Sequence, residues 1–180
     1  MLYNWDEINK EYGYPNKVRE AVTAGEIYKV RRGLYSDQPS ASPFSVISVK
    51  YPYAIVTMDT AFYIHGLTDV VPDRIFLATK RNATRIMDPN IRQVFLNGRI
   101  FEPGRTSILY DGVEISIYNK ERMLIEAMRN SKSIPFDYYK EVISGYRNIS
   151  DKLDYQIIEE YMALFKRNDY MFQILRREVL

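Results

Sequence analysis

One stretch constrains this 180-residue chain more than any other: Tyr14 to Tyr35, YPNKVREAVTAGEIYKVRRGLY. Val18, Ala21 and Val22 recur at i, i+3 and i+4, the spacing of one helical face, and Lys17, Arg19 and Glu20 fall elsewhere. Thr23-Ala24-Gly25 ends that helix, with Gly25 as the left-handed cap residue. A hairpin closing at Gly33 follows at once, with Ile27, Val30 and Leu34 apolar and Lys29, Arg31 and Arg32 around them.

Upstream, Asn4 is placed to cap a short helix over 4–12, and Glu7 stands three residues on as its capping-box partner. Trp5 and Ile8 are spaced to face a core, and Tyr12-Gly13-Tyr14-Pro15 breaks the helix. Two helices around a Gly-containing turn, then a basic hairpin, is the plan of a winged helix-turn-helix. In that plan the second helix enters a DNA groove and the hairpin holds phosphates. Asn16, Lys17 and Arg19 are then placed to meet base edges or backbone, and Lys29, Arg31 and Arg32 to meet phosphates. A full winged helix usually opens with one more helix, whereas only Met1-Leu2-Tyr3 precede this unit. The module is therefore trimmed, or is completed by packing on the rest of the chain.

Charge supports such a reading only through its distribution. There are 25 basic and 23 acidic residues, a net +2. Residues 74–105 hold seven basic and two acidic side chains, and 106–180 hold eleven and twelve. Between two expected strands the polar loop KRNATRIMDPN carries Lys80, Arg81 and Arg85. This is a second basic patch for phosphate or RNA, or, more simply, a solvated loop.

The Ser/Pro-rich segment 36–45 reads as a linker or surface loop. It divides the chain into a DNA-binding module over 1–36 and an α/β domain over 46–180. In the second part a helix is expected over Met58–Ile64, capped by Thr57 or Asp59 and closed by Gly66. Strands follow at 74–79, 92–96, 107–110 and 113–118, the last two joined by the hairpin signal Asp111-Gly112. Four amphipathic helices come after them: about 120–129, 135–146, a third with the stripe Leu153, Ile157, Tyr161, Leu164 and Phe165, and 170–180. The expected fold is α+β: a winged helix-turn-helix, then a small, mostly antiparallel sheet packed with C-terminal helices.

Several chemistries lack their residues. There is no cysteine, so no disulfide or thiolate metal site. The single histidine, His65, is a general base or metal ligand on one reading and a packed helix-end residue on the other; zinc has no ligand set around it. No phosphate-binding glycine loop, HExxH or GxSxG motif occurs. Asp59, Asp69 and Asp73 are the carboxylates a Mg²⁺-dependent nuclease would need to gather. The reading is a non-enzyme with no catalytic residues, no cofactor and no metal. No apolar run approaches the roughly 18 residues of a membrane span, and no signal pattern opens the chain, which points to the cytoplasm.

Three segments in order resemble the AbiEi family of antitoxins and transcriptional regulators from type IV toxin–antitoxin (abortive infection) systems. GEIYKVRRGLY (25–35) is similar to the family's recognition-helix end and wing. YAIVTMDTAFYIHGLTDVVPDRIFLAT (53–79) is similar to its helix-then-strand block. ISIYNKERMLIEAMRN (115–130) is similar to its strand and ER-x-L helix, with Glu126 as the acidic residue. The resemblance implies autorepression through operator DNA, and neutralisation of a cognate nucleotidyltransferase-type toxin in phage defence. The alternatives are an interaction module without DNA binding, and the nuclease.

Overall fold

A computed structural model describes residues 2–166 and 168–180. They form a mixed α and β protein with eight α-helices and two sheets, in two compact units. The first holds the residues up to Pro52 plus Leu109–Glu114; the second holds Tyr53–Ile108 and Ile115–Leu180.

The N-terminal unit runs β1 (Leu2–Asn4), α1 (Trp5–Tyr12), α2 (Pro15–Ala24), β2 (Tyr28–Arg31), β3 (Leu34–Ser36) and α3 (Pro43–Lys50). Asn4 and Glu7 close the expected capping box: Glu7 N–H donates to Asn4 Oδ1 at 2.9 Å, and Asn4 N–H donates to Glu7 Oε2 at 2.8 Å. Pro15 occupies the first turn of α2, where a missing N–H costs nothing, and Gly25 caps the helix in the left-handed conformation. Ile8, Val18, Ala21, Ile27 and Tyr35 form one core, so α1, α2 and the hairpin are fixed to each other. Each large apolar side chain there contributes about 1.5–3 kcal/mol by burial.

Three features differ from the sequence reading. Trp5 is 37% exposed and meets the Tyr35 ring at 6.0 Å, while Ile8 alone of the pair is buried. The residues before α1 are a strand, β1, which pairs antiparallel with β3 in a sheet of order β1-β3-β2. The segment 36–45 is not wholly linker: Ser36 is buried in β3, and Pro43 begins α3, whose N-terminus Ser42 caps by accepting from Phe44 N–H. Because α3 packs on β1 and buries Val46 and Ile47, the N-terminal unit extends to Pro52.

The C-terminal unit contains β4 (Ile55–Val56), α4 (Met58–Ile64), β5 (Ile75–Lys80), β6 (Ile91–Leu96), parts of β7 (Arg105–Tyr110) and β8 (Val113–Tyr118), then α5 (Lys120–Arg129), α6 (Phe136–Asn148), α7 (Tyr155–Met162) and α8 (Asn168–Ile174). A π-helical turn, Leu175–Val179, follows α8. Sheet order is β6-β5-β4-β8-β7.

The expectation of a mostly antiparallel sheet is corrected. β5 and β6 run parallel, from Ile75↔Ile91 to Lys80↔Leu96, and β4 and β8 run parallel at Val56↔Ile117; β4 and β5 are antiparallel. A six-residue strand is about 20 Å long, and the segment 81–90, with a turn at each end, returns across it without a helix.

α5 is the hub of the helices. Every residue from Arg122 to Met128 is buried, and α4, α6, α7 and α8 all pack on it. The expected stripe of the third helix is displaced: in α7 Ile158 and Met162 are buried, while Ile157 and Tyr161 are half-buried. Leu164 and Phe165 lie beyond its end.

Candidate nucleic-acid interface

At 100° per residue, Val18 and Ala21 set the buried side of α2. Asn16, Arg19, Glu20 and Thr23 then lie together on the opposite side, with Lys17 at its flank. Asn16, Lys17, Arg19 and Glu20 are all exposed. In β2 the alternation places Lys29 and Arg31 outward, and Tyr28 and Val30 half-buried. Arg32 is exposed in the turn that follows, and the register slips between Lys29 and Arg31. The core shared by α2, Ile27 and Tyr35 holds the helix and the cationic hairpin in one unit. From Tyr14 to Tyr35 the chain presents five basic and two acidic side chains, Glu20 and Glu26.

The second basic patch lies in the C-terminal unit and divides. Arg81 and Arg85 stand exposed on the loop after β5. Lys80 turns to Glu102 at 3.6 Å and lies over the Phe101 ring, and Arg105 meets the same carboxylate at 3.5 Å. No sequence motif marks Arg105, Tyr53 or Phe101, which line a cavity with Lys80. Gln93 does carry a legible signal: a polar residue within IRQVFL marks a strand side chain with polar work.

The carboxylates weighed for a nuclease do not assemble. Among the described residues no group of three or more His, Asp or Glu side chains is placed to hold a metal. Asp59 is half-buried in the first turn of α4, and burial pushes its carboxyl up, with Arg92 opposing and Asp73 adding. The Asp69 N–H donates to Glu141, and Asp73 is exposed.

His65 sits at the C-terminal end of α4, where Nε2–H donates to the Tyr118 carbonyl at 2.7 Å. Burial lowers its pKa most, the Tyr118 bond raises it, Lys120 lowers it and Glu121 raises it. The unfolded chain therefore binds this proton more tightly than the folded one. The contribution to stability is intact above the unfolded value of about 6.5 and is lost as pH falls below it. Melting curves at about pH 7.5 and about pH 5.5 are expected to show an acid loss that His65→Gln, which keeps a donor for Tyr118, reduces. An unchanged loss would assign it to other groups.

Among the described residues no helix is long and apolar enough to cross a membrane. No model of a known protein family matches the chain, and no curated protein does.

Proposed function

We propose that the protein is a DNA-binding antitoxin and transcriptional autorepressor, without catalytic activity of its own, that counteracts a nucleotidyltransferase-like toxin of a type IV system. The observation that carries the DNA-binding half is α2 and the β2–β3 hairpin on one core, with Asn16, Lys17 and Arg19 outward on the helix and Lys29, Arg31 and Arg32 outward on the hairpin. The order β1-α1-α2-β2-β3, with β3 between β1 and β2, supports the winged-helix reading. Here α3 packs on β1. The toxin half rests on the resemblance of 53–79 and 115–130 to the AbiEi family.

The test is binding to the DNA upstream of the protein's own gene across a salt series, for wild type and for Arg31→Ala/Arg32→Ala. Each phosphate contact contributes about 0.9 to the slope of log K against log salt. The double variant should bind more weakly and lose up to about 2 of that slope. Equal slopes would remove the hairpin from the interface.

A second reading, an interaction module without DNA binding, is favoured by one observation: Glu20 is exposed amid Asn16, Arg19 and Thr23, where a carboxylate repels phosphate. It predicts that wild type binds its upstream DNA no better than unrelated DNA while a toxin partner still co-purifies.

A further inference from the structure

The C-terminal unit contains a cavity of about 460 Å³, within the roughly 300–1,000 Å³ of small-molecule clefts. Lys80 and Arg105 supply two cations, Tyr53 and Phe101 two rings, and Asn82 and Thr84 a polar edge. Phe101 is 2% exposed and forms a fixed wall, whereas Tyr53 is 46% exposed.

Both walls are held by side chains behind them. On the Asn82–Thr84 side, Gln93 Nε2–H donates to Thr79 Oγ1 at 2.8 Å and to the Thr84 carbonyl at 3.1 Å. Its Oε1 accepts from Ile86 N–H at 2.8 Å. On the Phe101 side, Arg122 Nη1 donates to the carbonyls of Ile100 and Pro103 at 2.7 and 3.0 Å, and Tyr118 Oη donates to that of Phe101 at 2.6 Å. Arg105 is aimed by its Nε–H bond to Ser116 Oγ at 2.9 Å. Loops fixed in this way need little reordering when a ligand enters.

Glu102 is the resident anion. Its pairs with Lys80 and Arg105 are long, at 3.6 and 3.5 Å, and all three side chains are between 37% and 55% exposed, so these pairs stabilise little. A phosphate monoester, with a charge of about −1.5 to −2 and three acceptor oxygens, is a better partner for an ammonium and a guanidinium than one carboxylate. An aromatic base adds stacking on an exposed ring.

We propose that this cavity binds a nucleoside monophosphate group, with its phosphate on Lys80 and Arg105 in place of Glu102 and its base against Tyr53. The source is either a free nucleotide or the phosphorylated end of a single strand. The site is independent of the DNA-binding reading, because none of its residues lies in the N-terminal unit.

The test is calorimetric titration of the full chain at low salt with AMP, adenosine and inorganic phosphate. AMP is expected to saturate one site and to bind at least about tenfold more tightly than either fragment, since charge and stacking act together. Lys80→Ala/Arg105→Ala should weaken AMP at least about tenfold. Tyr53→Ala should weaken AMP by about fivefold or more and leave phosphate unchanged. Glu102→Gln, a conservative change at an exposed side chain, should tighten AMP severalfold by removing the competing anion. A 5′-phosphorylated oligonucleotide that binds more tightly than AMP identifies a strand end as the source; one that binds no more tightly identifies a free nucleotide. The proposal is overturned if AMP shows no saturable binding, if the double variant binds as wild type does, or if Glu102→Gln weakens binding.

Discussion

Glu126→Ala is expected to destabilise the C-terminal unit by about 3–5 kcal/mol, more than Arg122→Met does. Arg122 is fully buried and Glu126 is 4% exposed, one helical turn apart on α5. Arg122 Nε and Nη2 both donate to Glu126 Oε1, at 3.2 and 2.7 Å. The guanidinium also lies over the rings of Tyr118 and Phe165. Removing the carboxylate leaves that charge in the interior with two carbonyls and two rings but no anion, and the cost of an uncompensated buried charge dominates.

The reverse deletion is milder. In Arg122→Met, Glu126 keeps Arg129 Nη1 at 3.0 and 2.8 Å, and Asn130 Nδ2 at 3.3 Å. The Met side chain fills most of the volume. What is lost is the donor to two carbonyls, Ile100 and Pro103; both residues are half-buried, so each costs near the low end of the about 1–3 kcal/mol for a carbonyl left unpaired. Chemical denaturation followed by circular dichroism, with amide exchange on α5, ranks the two. The only tryptophan, Trp5, is in the N-terminal unit and its fluorescence does not report on α5. Equal losses, or a larger loss in Arg122→Met, would sink the argument.

Which elements the sequence discloses depends on how local their causes are. The capping box of α1, the Gly25 stop of α2, and the two-residue turn Asp111-Gly112 are set by residues within a few positions of each other, and all are where the pattern places them. Helix α5 spans the expected Lys120–Arg129 because Asn119 caps it, accepting from Arg122 N–H at 2.9 Å, and its apolar residues keep helical spacing. Ser42-Pro43 carried the same kind of start signal for α3, masked by the surrounding serines and prolines.

Other elements exist only through distant partners. β4 is two residues long and lies between β5 and β8, so its strand character comes from its neighbours. The parallel pairing of β5 and β6 turns on the path of 81–90, which Gln93 helps to hold, and no periodicity records that path. Of the candidate site, the outward cations on α2 and β2 follow from period and alternation alone. The convergence of Lys80 and Arg105 on Glu102 joins the end of β5, the loop before β7 and β7 itself, and required the fold.

Gly104→Ala is expected to cost about 2–6 kcal/mol, and truncating the side chain it strikes is not expected to restore stability. Gly104 is buried with φ +85°, a conformation that costs an L residue about 1–3 kcal/mol. A methyl there would collide with Arg122 Cβ and stand 2.7 Å from Arg122 Cγ and 3.1 Å from Asn119 Oδ1. Relief by withdrawal of the glycine is blocked, because the Gly104 carbonyl accepts from Asn119 N–H at 2.7 Å. The start of α5 must shift instead, and overpacking of this kind costs about 1–3 kcal/mol. Arg122→Ala clears Cγ but keeps Cβ, the nearer atom. The double variant Gly104→Ala/Arg122→Ala should therefore be less stable than either single variant, with no compensating term in the cycle. Denaturation midpoints for the four proteins decide it. Recovery in the double variant would place the collision on the arginine's outer side chain, and would mean that the approach of Gly104 to α5 serves that side chain and not the close seating of the helix.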